Sequence, residues 1–145
     1  MVLAIRDAAV NDAATIRRIV RAANINPTGL DWPRFVVAED GGGIVGVGQV
    51  KQHRDGTREL ASIAVIPERQ GKGIGSTIIR ELLGRETGVV HLTCRSQLQG
   101  YYQRFGFMRL EPSEYPPYFA RRMSMINAFL RPFGIRIIVM RRLSS

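Results

Sequence analysis

The spacing of apolar residues along the chain separates predicted helices from predicted strands. After a predicted strand at residues 2–6, apolar residues recur at helical spacing behind Asn11, a residue type that favours the N-cap of a helix. This pattern predicts a helix that ends near Asn24. Two prolines and a glycine in residues 26–33 then predict a loop.

Three apolar runs in the next part of the chain predict three consecutive strands. They cover residues 34–39, 44–52 and 58–66, and short segments rich in turn-forming residues separate them. Strands joined by short turns pair with their neighbours in opposite directions. We therefore expect an antiparallel meander in this part of the fold.

The turn between the second and third of these strands predicts a register. It contains an Asp55-Gly56 pair, which is typical of a two-residue hairpin loop. With such a loop, Gln52 lies opposite Glu59, and His53 lies one position nearer to the turn. Both Glu59 and His53 then belong to the same hairpin.

The remainder of the chain alternates helical and extended patterns. The predicted elements are a helix at residues 74–85, a strand at 89–94, a short helix at 97–105, a strand at 106–110, a helix at 118–131 and a strand at 135–142. The order β-α-β-β-β-α-β-α up to residue 105 is typical of the α/β (α+β) fold class.

Composition narrows the class of protein. The chain has 145 residues, 45% of them hydrophobic and 23% charged, which predicts a single folded domain over residues 1–145. One cysteine and two histidines allow no internal disulfide and no structural zinc site. No apolar run could span a bilayer, and charged residues stand where a signal peptide needs its apolar stretch. We expect a cytoplasmic protein with no metal and no membrane partner.

The net charge of +9 is concentrated at the carboxyl terminus, where residues 118–145 contain six arginines and no acidic residue. Because basic residues and an amphipathic pattern coincide in residues 118–131, a nucleic-acid or anionic-surface binding module is one hypothesis for the function. A helix of this kind also covers a sheet or a second subunit. We therefore consider a homodimer as well, and nucleic acid is the less favoured partner.

A strand, a glycine-rich loop and a helix follow one another at residues 58–85, an arrangement typical of an anion site. Glycines let a phosphate approach backbone N–H groups, and the helix N-terminus adds a positive dipole. The nucleotide-binding pattern G-x-x-x-x-G-K-S/T is absent, because Lys72 lies between two glycines. The dinucleotide pattern G-x-G-x-x-G is absent too, because Ser76 stands at the position of its third glycine.

Two motifs carry a resemblance to one family. Gln70-Gly71-Lys72-Gly73-Ile74-Gly75 fits the pattern Gln/Arg-x-x-Gly-x-Gly/Ala, and Tyr102-Gln103-Arg104-Phe105-Gly106-Phe107 fits Tyr-x-x-x-Gly-Phe. With the order of elements, they resemble the GNAT superfamily of acetyl-CoA-dependent N-acetyltransferases over nearly the whole chain. The resemblance implies a GNAT-like domain with a central mixed, mostly antiparallel sheet, helices on both faces and an extra helix before the last strand.

The resemblance also implies that acetyl-CoA is the co-substrate. Backbone N–H groups of the glycine loop would hold the CoA pyrophosphate, and the backbone of the preceding strand would pair with the pantetheine amides. The residues implied are Ile63, Ala64, Val65, Gln70, Gly71, Lys72, Gly73, Ile74, Gly75 and Ser76. A tight turn without a ligand is the alternative interpretation of the three glycines.

Acetyl transfer to a primary amine by direct attack in a ternary complex needs a base for the acceptor and an acid for the leaving thiolate. Glu59 lies six residues before Val65, about 20 Å along a strand, and the resemblance implies that it is the base. His53, acting through water, is a second candidate, and a surface carboxylate is the alternative role for Glu59. Tyr102 is the implied acid, because a phenol with a pKa of about 10 suits a thiolate leaving group.

Acceptor recognition is expected in two irregular segments, residues 25–33 and 111–118, since loops on a rigid scaffold carry variable recognition. Acidic and aromatic side chains there suit a cationic small-molecule amine or a peptide acceptor. These side chains are Asp31, Trp32, Glu114 and Tyr115. They could equally well pack the two loops.

The sequence departs from the family at two places. Many members have an asparagine that contacts pantetheine where this chain has Arg95 or Ser96, and residues 25–33 lack a further helix that is common there. The first departure leaves that contact open, and the second predicts a more open acceptor pocket. Cys94 and His91 are expected to be structural. A catalytically silent CoA-binding module is the remaining alternative.

Overall fold

The computed structural model describes residues 2–143, which form two compact units. One unit consists of residues 2–51 and 60–86, and the other of residues 52–59 and 87–143. The described helices are α1 (Ala13–Ala22), α2 (Ile74–Gly84), α3 (Gln99–Gln103) and α4 (Pro117–Leu130). The described strands are β1 (Ala4–Asp7), β2 (Phe35–Glu39), β3 (Ile44–Gln52), β4 (Arg58–Val65), β5 (Val89–Arg95), β6 (Met108–Arg109) and β7 (Ile137–Leu143).

In the first unit the strand order is β1-β2-β3-β4, as an antiparallel meander predicts. Phe35 pairs with Gln49 across β2 and β3, and just beyond β4 the Ile66 N–H donates to the Val45 carbonyl at 2.9 Å. Buried side chains of α1 pack against these strands. Together they form a core of Ile16, Ile19, Val20, Phe35, Val37, Val47 and Ala64.

Two glycines of β3 let α2 approach the strand closely. A Cβ on Gly46 would lie 2.8 Å from the Ile78 side chain, and one on Gly48 would lie 2.7 Å from that side chain and 2.6 Å from Ile63. Contacts this short do not occur between real side chains, so any larger residue would displace the helix. The close approach fixes where α2, and the glycine loop that precedes it, lie against the strands of this unit.

The turn between β3 and β4 differs from the two-residue loop that the Asp55-Gly56 pair predicts. The His53 N–H donates to the Thr57 carbonyl at 2.9 Å, and the Gly56 N–H donates to the His53 carbonyl at 3.0 Å, so the loop has three residues. Gly56 has a φ of 87°, which fits the bulge that closes such loops. The predicted register is therefore wrong by one residue, and the observed one places His53 and Glu59 on the same face of the hairpin.

In the second unit β5 pairs with β7 in antiparallel fashion along its whole length, and β6 pairs with the other side of β7. The start of β4 pairs with β5 in parallel, with Glu59 opposite His91. The Asn127 side chain of α4 exchanges two hydrogen bonds with the Ile137 backbone, at 3.0 and 2.8 Å. The core of this unit consists of Leu110, Phe119, Met123 and Val139.

The described elements confirm the predicted α/β class, with mixed, mostly antiparallel strand pairing and a helix before the last strand.

The predicted N-cap of the first helix, Asn11, is wrong. The helix α1 begins after Asp12, whose carboxylate accepts the Ala9 N–H at 2.7 Å and pairs with Arg6 at 2.8 Å. None of the helices within residues 2–143 is long and apolar enough to cross a membrane. A single domain over residues 1–145 stays a prediction.

Candidate functional site

The glycine loop between β4 and α2 presents a row of backbone N–H groups. Gly71 and Gly73 have φ angles of 78° and 81°, a conformation that glycine adopts without strain, and a Cβ on either would meet nothing within 4 Å. Within residues 2–143, no group accepts a hydrogen bond from the N–H groups of residues 71 to 75. Because these donors stand at the positive end of the 11-residue helix α2, the loop can bind an anion.

Contacts on either side hold this loop in place. The Gln70 Nε2 donates to the Val65 carbonyl at 3.0 Å, which ties the loop to the end of β4. The Ile74 side chain is buried and anchors the first turn of α2. Only the backbone of Ile74 therefore contributes to the loop surface. Lys72 is exposed and Ser76 is half-buried. The predicted pyrophosphate residues therefore form one continuous segment at the start of α2.

β4 carries a local irregularity at Ser62, whose φ of 59° is unusual for a residue other than glycine. The fully buried Gln49 supports it, because Gln49 Nε2 donates to the Ser62 hydroxyl at 2.9 Å and to the Gly29 carbonyl at 3.1 Å. A left-handed residue interrupts the regular ladder of a strand, and such strain is concentrated at functional sites. The backbone predicted to pair with pantetheine, residues 63–65, follows directly. Sequence reasoning missed this feature, and a glutamine in an apolar strand was its only signal.

His53 and Glu59 form a hydrogen-bonded pair in the second unit. The imidazole Nε2 lies 2.7 Å from Glu59 Oε1, and the two side chains are only 10% and 12% exposed. When Nε2 donates to the carboxylate, Nδ1 carries the lone pair of the neutral ring. Within the described part of the chain Nδ1 has no partner, and it is not a buried atom. The pair can therefore accept a proton from a group that reaches Nδ1.

Aromatic rings surround this pair. The His53 ring stacks on Tyr118 with 3.5 Å between centroids and 13° between planes, and the edge of Phe119 lies 6.1 Å away. Phe119 also lies 6.0 Å from the ring of His91. Burial, together with the charge of Arg141, lowers the pKa of His91, which keeps this imidazole neutral at neutral pH. His91 thus fits the structural role predicted for it.

Tyr102 lies on α3 within a group of aromatic rings. The ring centroids of Tyr101 and Phe107 are 5.0 and 6.3 Å from its own. Burial raises the pKa of Tyr102 to about 12, and the neighbouring Cys94 and Tyr101 contribute. The phenol therefore keeps its proton throughout the physiological pH range and can donate it. Burial also raises the pKa of the Cys94 thiol to about 11, which fits its predicted structural role.

The four predicted acceptor residues all make contacts within their own units. In the first unit, Asp31 pairs with a neighbouring arginine at 3.5 Å, and Trp32 packs against the core around α1. In the second, Glu114 accepts the Glu111 N–H at 3.0 Å, and Tyr115 packs against the core beside α4. These contacts account for the residues without a ligand. Their role in acceptor binding stays a prediction.

The candidate residues thus form two groups. The first unit holds the glycine loop and the backbone of residues 63–65, and the second holds His53 and Glu59 together with Tyr118. Sequence reasoning did not find the stacking of Tyr118 on His53, because the two residues are 65 positions apart and no pattern links them. Within residues 2–143, no cluster of His, Cys, Asp or Glu could hold a metal ion.

Comparison with known proteins identifies the family. Residues 31–109 match a family model described as an acetyltransferase (GNAT) domain. A search of curated proteins finds no match. Among solved structures, Rv2747 from Mycobacterium tuberculosis, in complex with CoA and NLQ, is 20% identical with a TM-score of 0.73, and the match covers 98% of this chain and 99% of that one.

Two further solved structures have the same fold. Ard1 from Thermoplasma volcanium is 16% identical with a TM-score of 0.71, covering 100% of this chain and 99% of that one. N-acetylglutamate synthase from Neisseria gonorrhoeae, complexed with coenzyme A and N-acetyl-glutamate, is 18% identical with a TM-score of 0.71. All of this chain matches, but it spans only 36% of the synthase. Because the family model covers more than half of the chain, this protein belongs to the GNAT acetyltransferase family.

Proposed function

We propose that this protein transfers the acetyl group of acetyl-CoA to a primary amine by direct attack in a ternary complex. The observation that carries the proposal is the row of N–H donors at residues 71 to 75, which find no acceptor within residues 2–143 and stand at the start of α2. A pyrophosphate is the ligand that such a row of donors at a helix N-terminus suits best.

The same loop gives the donor site its shape. The N–H groups of Gly71 to Gly75, with Ser76 beside them, bind the pyrophosphate of CoA. The backbone of residues 63–65 pairs with the pantetheine amides, next to the irregularity at Ser62. Affinity for the donor then depends mainly on backbone geometry. Lys72 adds a positive charge at the exposed rim of the loop.

His53 and Glu59 remove the proton from the acceptor amine in this proposal. Glu59 holds the Nε2 proton of His53, which leaves Nδ1 as the basic atom, and the carboxylate stabilises the imidazolium that forms. The alternative is that Glu59 itself takes the proton and His53 positions it. Acetyl-CoA supplies an activated acetyl group. As the bond between nitrogen and carbon forms and the bond between carbon and sulfur breaks, Tyr102 donates its proton to the sulfur.

Solved structures of the same fold indicate which acceptors to assay first. The Neisseria synthase was solved with coenzyme A and N-acetyl-glutamate, an acetylated amino acid. Rv2747 was solved with CoA and NLQ. Identities of 18% and 20% establish the fold alone, so these ligands give a starting set of acceptors for assays.

We expect acetyl-CoA to raise the melting temperature of the protein. A ligand present at 100 times its dissociation constant stabilises the folded state by about 2.7 kcal/mol. Thermal unfolding with acetyl-CoA, CoA and 3′,5′-ADP measures this shift, and an assay of thiol release over a panel of amines measures turnover. Binding without thiol release from any amine would support the silent CoA-binding module. A melting temperature that none of the three compounds changes would contradict the donor site.

We expect Glu59→Gln and His53→Gln each to lower kcat/KM by about 100-fold at neutral pH, the usual scale for loss of a general base. The loss should shrink at high pH, where the free amine needs no base. Because the two residues act as one hydrogen-bonded pair, the double variant should lose little more than either single variant. The measurement is a pH profile for all four proteins. Equal losses at every pH, or losses that multiply in the double variant, would argue for separate structural roles.

A further inference from the structure

A cavity lined by arginines adjoins the His53–Glu59 pair. It has a volume of about 440 Å³ and lies within the second unit, where the turn between β3 and β4 faces the first turns of α4. The side chains that define it are His53, Arg54, Asp55, Tyr118, Arg121 and Arg122. A cavity of this size accommodates a small organic molecule. The proposed donor site uses none of these residues, and of them only His53 has a role in the proposed chemistry.

The charge of the lining is positive. Asp55, its one carboxylate, accepts the N–H groups of Thr57 and Tyr118, both at 2.9 Å. Hydrogen bonds from Thr57 and Tyr118 lower the pKa of Asp55 to about 2, so its charge is permanent at neutral pH and already engaged by backbone donors. Within residues 2–143, neither Arg54 nor Arg121 has an ion pair or a hydrogen bond through its side chain. Three guanidinium groups therefore remain available to an anion.

Tyr118 holds one of these guanidinium groups in a defined place. The Arg122 Cζ lies 3.8 Å from the centre of the Tyr118 ring, and the His53 ring lies 3.5 Å from the same centre. Two groups this close to one ring occupy its opposite faces, about 7 Å apart. Arg122 Nη1 donates to the Tyr118 carbonyl at 2.7 Å, which leaves four of its five N–H donors free. An anion site and a basic site thus lie on either side of one tyrosine.

We propose that this cavity binds the acceptor, and that the acceptor is a small amine that also carries an anionic group, a carboxylate or a phosphate. Arg54, Arg121 and Arg122 bind the anionic group, since guanidinium pairs well with the two oxygens of either anion. The amine then reaches His53 and Glu59. The inference rests on the proposed function, because it names the acceptor class of that reaction. It adds a binding step and leaves the chemistry unchanged.

The acceptor class can be tested with matched pairs of amines in the thiol-release assay. Each common amino acid and β-alanine is compared with its carboxamide, and aminoethyl phosphate is compared with ethanolamine, with rates corrected for the fraction of free amine. We expect kcat/KM to be at least 10-fold higher for the anionic member of some pair. A preference within the amino acid pairs identifies a carboxylate, and one confined to aminoethyl phosphate identifies a phosphate. Equal or lower values for every anionic member would overturn the proposal.

Arginine variants test whether this cavity is the origin of the preference. Arg54→Gln and Arg121→Gln should each lower kcat/KM for the preferred anionic amine by about 10-fold, and leave that of its neutral partner unchanged, because a hydrogen bond to a charged group is lost. Arg131→Gln is the matched control, since Arg131 is an exposed arginine just beyond α4 that does not line the cavity. An equal effect of Arg131→Gln would point to long-range charge alone and would contradict the assignment.

A binding measurement separates failure of this inference from failure of the proposed function. Calorimetry with N-acetylated amino acids and their carboxamides requires no turnover. If no amine releases CoA, but N-acetylated carboxylates bind and Arg121→Gln weakens them, the cavity assignment stands and the acetyltransferase proposal fails. If neutral amines are acetylated and the arginine variants behave like wild type, the acetyltransferase proposal stands and the cavity assignment fails. Binding of random duplex DNA is a separate test. The inference would also be overturned if the wild-type protein bound such DNA with sub-micromolar affinity at physiological salt and Arg121→Gln removed that binding.

Discussion

Replacing Gly73 with glutamate is expected to weaken acetyl-CoA binding by about 100-fold or more. The glycine has a φ of 81°, and the space around a Cβ there is empty for 4 Å, so the new side chain extends from the loop and not into the core. Its carboxylate lies beside the N–H groups of residues 71 to 75 and competes with the pyrophosphate for them. Several hydrogen bonds to a charged ligand are lost, each worth about 1.5–3 kcal/mol.

Calorimetric titration of acetyl-CoA into the folded variant measures this loss. The substitution also places a side chain in the left-handed region, which lowers stability by about 1–2 kcal/mol, so a matched control is needed. Gly134→Glu supplies it, because Gly134 has a φ of 69°, its Cβ would also meet nothing within 4 Å, and it lies in the second unit. If Gly73→Glu bound acetyl-CoA like wild type, or if Gly134→Glu lost as much affinity, the glycine loop would not be the pyrophosphate site.

Tyr102→Phe is expected to slow turnover by about 100-fold or more while leaving the fold and the affinity for acetyl-CoA nearly intact, the usual effect of losing a general acid. The ring keeps its contacts with Tyr101 and Phe107, and only the hydroxyl is removed. Because burial raises the pKa of Tyr102 to about 12, the wild-type phenol stays protonated at every pH at which the enzyme would be assayed. Loss of activity on the alkaline side must then come from another group.

Single-turnover kinetics separate the chemical step from product release, and Tyr101→Phe is the neighbouring control, with turnover expected to change little. Stability gives a second measurement. The pKa of Tyr102 is about 12 in the folded state and about 10 in the unfolded state. The protonated Tyr102 side chain therefore makes its full contribution to folding stability below about pH 10, and this contribution is lost as the pH rises toward 12. Tyr102→Phe should remove this alkaline loss. Wild-type rates for the chemical step in Tyr102→Phe would show that another group, or water, protonates the sulfur.

The parts of the fold and site that the sequence predicts are those set by local patterns. The glycine loop is one, because its left-handed residues and the helix that follows are adjacent in the chain. The order of strands and helices is another, since hydrophobic spacing follows the period of each element. Tyr102 is predicted at the end of a short helix, and α3 places it there. The resemblance to the GNAT superfamily depends on these local features.

The parts that the sequence does not predict depend on contacts between distant residues or on one angle. The Asp55-Gly56 pair fits both a two-residue and a three-residue turn, and only the hydrogen bonds of His53 distinguish them. That single-residue difference decides whether His53 and Glu59 share a face. The stacking of Tyr118 on His53 likewise depends on where α4 begins relative to the hairpin. Candidate base residues could therefore be named from the sequence, but their pairing could not.

The carboxylate of Asp55 joins the two walls of the arginine-lined cavity. Oδ1 accepts an N–H from the hairpin turn, and Oδ2 accepts the N–H of Tyr118 in the first turn of α4. The length of the turn then sets the width of the opening, and none of the residues concerned belongs to the glycine loop. Substitutions in the turn that keep its three-residue length would change which molecules enter the cavity, while the His53–Glu59 pair and the glycine loop keep their geometry. In this architecture, acceptor choice and donor use can evolve independently.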